Sequence, residues 1–169
     1  FMSMSPRAWA AYARAPMPRY YFDAARARDA QAKGQTPWTP ALSLFYALDV
    51  ALAALEQEGW EQVYARHARI GAYTRQGVKA LGLELLADER VASNTVTAVK
   101  VPDGVNASAL RKMLREEYGV VLAGGQGSLS GKIVRIGHMG LVSEADIDEA
   151  LTALGQALTR LGFRPAARV

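Results

Sequence analysis

The spacing of apolar residues along the chain changes near its middle. Up to about residue 82, apolar positions recur at helical spacing or fill long runs that prolines interrupt. The run after Pro40 carries one charge, Asp49, before Glu56, which predicts a long helix buried on nearly all sides. The next run keeps its apolar and small residues on one stripe and predicts an amphipathic helix, with Trp60, Val63, His67, Ile70, Thr74, Gly77 and Leu81 facing inward.

The segment before Pro40 predicts shorter elements. The alternation in "FMSMS" favours a short strand, and Pro6 is expected to begin a helix over "RAWAAYAR". A second helix is expected after Tyr21. The two prolines of "QTPWTP" exclude regular structure there, and Thr39 is expected to cap the long helix that follows.

From Leu83 onward, short strands alternate with helices. Four apolar runs predict strands, namely "LELL", "TVTAVKV", "VVLAGG" and "KIVRIGH". Asn106 and Ser143 are expected to cap two helices. The charged positions of the first helix predict a solvated face, and they are Arg111, Lys112, Arg115, Glu116 and Glu117. The order of elements predicts a small α+β domain, with helices on one face of a single sheet.

Composition narrows the classes of function. The chain has 169 residues, half of them apolar, and a net charge of +4 without the basic, aromatic-rich stripe typical of nucleic-acid binders. It has no cysteine, which excludes disulfides and thiolate metal sites, and its two histidines are far apart. No apolar run is long enough to span a membrane and no signal peptide is visible, so we expect a cytoplasmic protein.

One arginine stands out in the last predicted strand. Arg135 lies between Val134 and Ile136 and faces the opposite side of the strand. A guanidinium keeps its proton, so a partly buried arginine needs a partner, and its planar fork matches a carboxylate. Two explanations stay open: an ion pair with an acidic residue of the same domain, or a site for the carboxylate of a small substrate.

Glycines flank this strand on both sides. Gly124, Gly125 and Gly127 precede it, and Gly137 and Gly140 follow it. Glycine permits a close approach of the backbone, and loops beside a rigid strand are where ligand contacts collect. A hairpin with permissive turns is the alternative explanation.

A loop stiffened by two prolines is the second candidate site. Gln35 and Thr36 in "GQTPWTP" offer amide and hydroxyl groups that suit a phosphate, and the capping role expected of Thr39 does not explain them. The histidines are weaker candidates. His67 lies on an apolar stripe and is expected to be a satisfied core histidine, whereas His138 either lines a site or is a loop histidine.

The order of the motifs resembles a known enzyme family. "FMSMSPRAW", "YYFD", "KGQTPWTPALSLFYAL" and "VVLAGGQGSLSGKIVRIGHMG" follow one another as in the C-terminal half of class V aminotransferases. The resemblance covers nearly the whole chain, and its nearest branch is the alanine–glyoxylate and serine–pyruvate aminotransferases. It implies part of the α/β fold type I of transferases that depend on pyridoxal phosphate (PLP). This part is the end of the large domain and a C-terminal α+β small domain, whose antiparallel sheet is covered by helices.

The family's functional residues carry over onto matching positions. Its "RIG" arginine binds the substrate α-carboxylate, which assigns that role to Arg135, and Gly124 and Gly125 match the loop near the substrate entrance. Its "TP" loop reaches the cofactor phosphate of the partner subunit, which matches Gln35 and Thr36. The resemblance thus implies pyridoxal 5'-phosphate and a homodimer with its active site at the subunit interface. The implied reaction moves an amino group between a small amino acid (alanine or serine type) and a keto acid (glyoxylate or pyruvate type).

The resemblance also implies which parts are missing. The family holds its cofactor through a lysine upstream of an "FMSMS"-type strand, and no lysine of this chain has that setting. We therefore assign no catalytic residue and do not expect the chain alone to be active. The implied organisation is a remnant of the large domain at 1–40, linking helices at 41–82 and the small domain at 83–169.

A function of another class stays open. The part from about residue 83 to 161 also suits a free-standing α+β module that binds a small carboxylate without chemistry. Such a module has no use for the apolar helix at 41–55 or for the "FMSMS" segment, which favours the enzyme.

Overall fold

A computed structural model of the chain describes residues 2–164. The chain divides into an N-terminal unit that ends at Leu52 and a C-terminal unit that begins at Ala53. The boundary falls inside a long helix, and the two units are described separately.

Three helices make up the regular structure of the N-terminal unit, the last of which continues into the C-terminal unit: α1 (Pro6–Arg14), α2 (Ala24–Gln31) and α3 (Leu42–Glu58). The Ser5 hydroxyl accepts a hydrogen bond from the Ala8 amide at 3.2 Å, and the Asp23 carboxylate accepts one from the Ala25 amide at 2.9 Å. Both contacts are side-chain N-caps, which satisfy amides that the first helical turn leaves unpaired. The two predicted helices before Pro40 are confirmed.

The prediction of a strand at "FMSMS" is wrong for residues 2–5. Residues 2–5 form no strand, and Phe1 lies outside the described residues. Alternating polarity creates a strand only when another segment supplies hydrogen-bond partners, and no strand of the described chain pairs with residues 2–5.

Helix α3 forms as predicted, but its burial and its cap are not as predicted. None of its residues is buried, and Leu44, Tyr46 and Val50 are 68%, 72% and 71% exposed. The first helical carbonyl belongs to Ala41, which accepts from the Leu44 amide at 3.0 Å, so Thr39 does not cap the helix. The helix begins at Leu42, two residues later than the Thr39–Pro40 signal predicts. Within residues 2–164, no helix is both long and apolar enough to cross a bilayer.

The C-terminal unit is a three-stranded antiparallel sheet with helices packed against it. Its elements are α4 (Trp60–Ala80), β1 (Val96–Lys100), α5 (Ala107–Glu117), β2 (Ala123–Gly124), β3 (Ile133–Gly137) and α6 (Glu144–Arg160). The strand order is β1-β3-β2, so β3 lies in the middle. The predicted small α+β domain with one antiparallel sheet is confirmed.

Two of the four predicted strands are shorter than expected. "LELL" contributes a single bridge, Leu85 to Val99, and the chain then enters a 3-10 turn at Glu89–Val91 that Asp88 caps. "VVLAGG" keeps only β2, because a second 3-10 turn begins at Gly127, where φ is +53°. Strand length depends on how far a partner continues, which the apolar run does not encode.

The core lies between the helices and one face of the sheet. Val99, Val134 and Ile136 point into it and are at most 3% exposed, as are Leu114 of α5 and Leu154 of α6. The predicted caps hold both of these helices. The Asn106 side chain accepts from two amides of α5, and Ser143 forms a reciprocal capping box with Asp146 at the start of α6.

Candidate functional site

Arg135 lies on the middle strand, on the face opposite the core. Its direct neighbours across the sheet are Ala98 on β1 and Ala123 on β2. Residues that oppose each other on adjacent strands share a face, so the half-buried guanidinium is flanked by methyl groups on both sides. The fold therefore leaves space around this side chain.

The guanidinium of Arg135 has a backbone partner and no acidic one in the described chain. Its Nε donates to the Gly124 carbonyl at 3.0 Å. None of the ion pairs among residues 2–164 includes Arg135. An internal ion pair, the first of the two explanations, is thus not observed for this part of the chain. Because Nε is engaged, the N–H groups of the two terminal nitrogens remain for a ligand.

Of the two glycines Gly124 and Gly125, the second is required for close packing rather than for turn geometry. A Cβ on Gly125 would lie 2.0 Å from the Leu129 carbonyl oxygen, and one on Gly124 would lie 2.8 Å from Nη1 of Arg111. Positive φ angles occur at Gly127 and not at these two positions. Gly125 therefore lets the loop after β2 pack against the Leu129 backbone and Ile133 of β3, whereas the space beside Gly124 is taken by the end of the Arg111 side chain.

Arg111 is exposed, as predicted for the solvated face of α5, and it also contacts the segment before β2. Its Nε donates to the Leu122 carbonyl at 3.0 Å, at the start of β2. The residue thus joins α5 to the segment that contacts Arg135. Nothing in the local pattern distinguishes Arg111 from Lys112 and Arg115, because the contact depends on where β2 lies.

His138 is buried in the core and does not line a site. Only 1% of it is exposed. Its Nδ1 lies 3.1 Å from the Asn94 carbonyl, which can only accept, so Nδ1 carries the proton and Nε2 accepts from the Thr97 hydroxyl at 2.9 Å. Burial lowers the pKa of His138, because a charged imidazole loses hydration in the core.

His67 has hydrogen-bond partners on both ring nitrogens, as predicted, but it is half-buried rather than in the core, and it fixes the loop after β3. Its Nδ1 donates to the Val63 carbonyl at 2.7 Å, and its Nε2 accepts from the Gly140 amide at 3.1 Å. Arg66 donates to the Gly140 carbonyl and forms a two-bond ion pair with Glu58 at 2.6 and 2.7 Å. These hydrogen bonds from Arg66 lower the pKa of the Glu58 carboxyl.

The second candidate site lies in the N-terminal unit. The Thr36 hydroxyl donates to the Trp38 carbonyl at 2.7 Å, and the backbone N–H of Gln35 donates to the Ala30 carbonyl at 3.0 Å. Trp38 anchors the loop, since its indole N–H donates to the Tyr21 carbonyl at 3.0 Å and its ring stacks on that of Tyr21. The side chains of Gln35 and Thr36 are exposed and available to a ligand.

The donors of this loop fit a phosphate group. No acidic residue occurs between Asp29 and Asp49, so no carboxylate in this part of the sequence opposes an anion near Gln35 and Thr36. The fold brings Arg135, Gly124 and Gly125 together in the C-terminal unit, whereas Gln35 and Thr36 belong to the N-terminal unit. Residues 2–164 contain no cluster of three or more histidine, cysteine, aspartate or glutamate side chains suited to a metal ion.

Three known proteins show what the chain is similar to. The "Soluble hydrogenase, small subunit" of Synechococcus sp. (strain PCC 6716) is 44% identical over 163 residues, which are 96% of this chain and 42% of that protein. The serine–glyoxylate aminotransferase of Methylorubrum extorquens is 39% identical over 147 residues, covering 86% of this chain and 37% of that enzyme. The solved structure of pyridoxamine–pyruvate aminotransferase from Mesorhizobium loti superposes with a TM-score of 0.88 at 42% identity, covering 96% of this chain and 43% of that one.

These similarities cover 86–96% of this chain but less than half of each relative. No protein-family model matches the chain. The chain spans about two fifths of the length of the curated relatives that it matches, 42% for the hydrogenase-named protein. The similarity to the solved structure covers 96% of the chain and so includes parts of both units. The chain therefore has the fold of the C-terminal part of aminotransferases of fold type I.

Proposed function

We propose that the complete protein containing this chain is a class V aminotransferase that depends on pyridoxal phosphate, and that this chain supplies the arginine for the substrate α-carboxylate. The amino group moves between a small amino acid of the alanine or serine type and a keto acid of the glyoxylate or pyruvate type. One observation carries the proposal: Arg135 is half-buried, flanked by alanines and unpaired with any acid among residues 2–164. Such a cation requires an anionic partner, and a substrate carboxylate supplies it.

The geometry of Arg135 suits both substrates of the reaction. Gly124 occupies Nε, so the two terminal nitrogens present parallel N–H groups, which can bind both oxygens of one carboxylate. An amino acid and the keto acid derived from it carry the same carboxylate. One guanidinium can therefore hold the amino donor and then the keto acceptor in the same orientation, which contributes several kcal/mol to lowering the barrier.

The small size of the proposed substrates has two supports. The cross-strand neighbours of Arg135 are alanines. Neither of them can bind the second carboxylate of a dicarboxylic substrate. Two of the relatives are named for serine with glyoxylate and for pyridoxamine with pyruvate, and pyruvate is the keto acid of alanine. Both lines favour a short substrate with one carboxylate.

The cofactor would contact this chain through the loop that contains Gln35 and Thr36. Pyridoxal phosphate, when bound, supplies the electron sink that lets the α-proton of the substrate leave. The exposed side-chain amide of Gln35 would donate to the phosphate, and the Thr36 hydroxyl would do so after turning away from the Trp38 carbonyl. In this family the loop serves the partner subunit, so we propose a homodimer, located in the cytoplasm.

No residue of this chain is proposed to move the proton. Of its five lysines, three form ion pairs: Lys79 with Glu89, Lys100 with Glu84 and Lys112 with Glu116. The remaining two, Lys33 and Lys132, are exposed and lie outside the setting expected of the catalytic lysine. That lysine is expected in the part of the complete protein that corresponds to the rest of the relatives' length.

Two other functions have less support. The Synechococcus relative is named a hydrogenase, but this chain has no cysteine, and residues 2–164 have no cluster of metal-ligating side chains, so no observation on it favours that activity. A free-standing carboxylate-binding module would need only residues 83–161. The similarity to the pyridoxamine–pyruvate aminotransferase instead covers 96% of the chain, including α3.

Kinetics of the complete protein test the role of Arg135. Arg135→Ala is expected to raise KM for the amino acid and for the keto acid by about a hundredfold, since two hydrogen bonds between charged groups are lost. Binding of pyridoxal phosphate, followed by its visible absorbance, is expected to stay within about twofold, because Arg135 is assigned to the substrate. Lys132→Ala is the matched control, because it removes a nearby exposed cation and no assigned contact. Unchanged KM values in Arg135→Ala would refute the proposal.

A further inference from the structure

Two arginines reach the same short edge strand from different elements. Arg135 of β3 donates to the Gly124 carbonyl at 3.0 Å, and Arg111 of α5 donates to the Leu122 carbonyl at 3.0 Å. Within residues 2–164, strand β2 pairs only with β3, so its other side is an edge of this sheet. Carbonyls on such an edge have no strand to bond with, and here guanidinium donors take that place.

The two arginines contact β2 from opposite faces of the sheet. Arg135 opposes Ala123, so both lie on the face away from the core. Gly124 opposes Val134 and points to the core face, where a Cβ would lie 2.8 Å from Nη1 of Arg111. Arg111 therefore lies directly against Gly124, and the absence of a side chain at position 124 makes that approach possible.

Strand β2 is too short to be held firmly by pairing alone. It has two residues, Ala123 and Gly124, and a 3-10 turn follows at Gly127. The position of the Gly124 carbonyl sets the direction of the Arg135 guanidinium, because that carbonyl is its hydrogen-bond acceptor. A shift of β2 would therefore rotate the donors that face the substrate, and such small misplacements are costly to reactions that depend on orientation.

We infer that Arg111 is a positioning residue for substrate binding: by bonding the Leu122 carbonyl and packing on Gly124, it fixes the carbonyl that orients Arg135. This inference rests on the proposed function, since it assigns a support to the proposed carboxylate-binding residue. Arg111 itself does not touch the substrate. Loss of the Arg111 side chain weakens substrate binding by displacing Arg135.

The test compares two arginines of α5 in the complete protein. Arg111→Ala is expected to raise KM for the amino donor about tenfold, as for the loss of one hydrogen bond with a charged donor, while kcat changes by less than about threefold. Arg115→Ala is the matched control, because Arg115 is exposed and its ion pair is with the adjacent Glu116 at 3.6 Å. It is expected to leave both constants unchanged.

A double mutant separates positioning from general destabilisation. If Arg111 acts through Arg135, then Arg111→Ala adds no further rise of KM in the Arg135→Ala background. The inference is overturned if Arg111→Ala leaves KM unchanged, or if it raises KM by the same factor in both backgrounds. If Arg111→Ala does not fold, Arg111→Lys replaces it, since the aliphatic stem remains and the Nε donor is lost. KM is then expected to rise by a smaller factor, and an unchanged value overturns the inference.

The same experiment distinguishes failure of this inference from failure of the proposed function. If Arg135→Ala alone leaves KM unchanged, the carboxylate site is elsewhere and both fail. If Arg135→Ala raises KM while Arg111→Ala does not, the proposed function stands and only the role of Arg111 is wrong.

Discussion

The two units of the chain form helices in the same way and bury them differently. In the N-terminal unit, α1 and α2 begin at side-chain caps and contain no buried residue. In the C-terminal unit, α6 begins at a side-chain cap and α4 begins after Gly59 without one, and each places a stripe of residues in the core. Local signals thus suffice to start and end a helix, whereas burial depends on what the rest of the chain places beside it.

Helices α3 and α4 show the difference within one stretch of sequence. α3 is the more apolar of the two, yet none of its residues is buried, whereas α4 buries Val63, Ile70 and Val78. Apolar content therefore predicts that a helix requires a contact, and it does not locate the contact within the described residues. Three predictions test how far this contrast between the units extends, beginning with the largest effect.

The largest contrast is expected between leucines of the two units. Leu154 of α6 is 1% exposed and Leu44 of α3 is 68% exposed. Leu154→Ala is expected to lower the free energy of unfolding by about 2–5 kcal/mol, because it leaves a cavity in a close-packed core. Leu44→Ala, the control, is expected to change it by less than about 0.5 kcal/mol. Urea denaturation followed by circular dichroism measures both, and equal effects would contradict the contrast in packing.

The helix caps are expected to differ by a smaller amount. Asn106→Ala removes two hydrogen bonds, at 3.0 and 2.9 Å, at the start of a helix whose Leu110 and Leu114 are in the core. We expect a loss of about 1 kcal/mol in the free energy of unfolding. Ser5→Ala removes the matching cap of α1, which has no buried residue, and is expected to reduce local helicity only. Asn106→Asp retains the acceptor oxygen and serves as the control for Asn106→Ala.

Equal losses in Asn106→Ala and Ser5→Ala would show that α1 folds cooperatively with the core. Denaturation curves combined with hydrogen exchange of the α1 and α5 amides distinguish these outcomes.

The smallest effect near neutral pH concerns the titration of His138. Burial lowers its pKa in the folded chain, while in the unfolded chain it titrates near its ordinary value of about 6.5. Below that pH the unfolded state binds more protons than the folded state, so stability is complete above about pH 6.5 and declines as the pH falls. His138→Gln is expected to remove this part of the decline, measured by denaturation between about pH 7.5 and 5. This dependence of the free energy of unfolding on pH is expected to arise in the C-terminal unit, since residues 1–52 contain no histidine.

An unchanged slope in His138→Gln would assign the acid sensitivity to other groups. The positive charge of Arg75 also disfavours the protonated form of His138.

The parts of the fold that the sequence predicted are those with local causes. Asn106 and Ser143 were identifiable as caps because a cap is set by residues two or three positions apart. The length of β2 and the loss of the "LELL" strand were not predictable, because they depend on how far β3 and β1 continue beside them. His138 was a missed core residue that had a signal, since it continues the alternation of Val134 and Ile136 toward the helices.

The candidate site likewise contains some residues that the sequence predicts and others that it does not. Arg135 was identifiable from its position between two apolar residues, and the resemblance of the surrounding motif to aminotransferases assigned it a role. The contact of Arg111 with Leu122 was not predictable, because it depends on the packing of α5 across β2 rather than on spacing. The structure of the Gly125 loop was also missed, since the need for glycine there comes from the Leu129 carbonyl and not from a positive φ.

The arginine contacts on β2 also bear on how the protein resists aggregation. A sheet grows by accepting a foreign strand along its open side, and that strand must bond to unoccupied carbonyls. On this side the oxygens of Leu122 and Gly124 already accept from guanidinium groups. On the opposite side, the Leu85 segment bridges to Val99 of β1. At these positions, the sheet of the described residues offers few free backbone groups to a strand of another molecule.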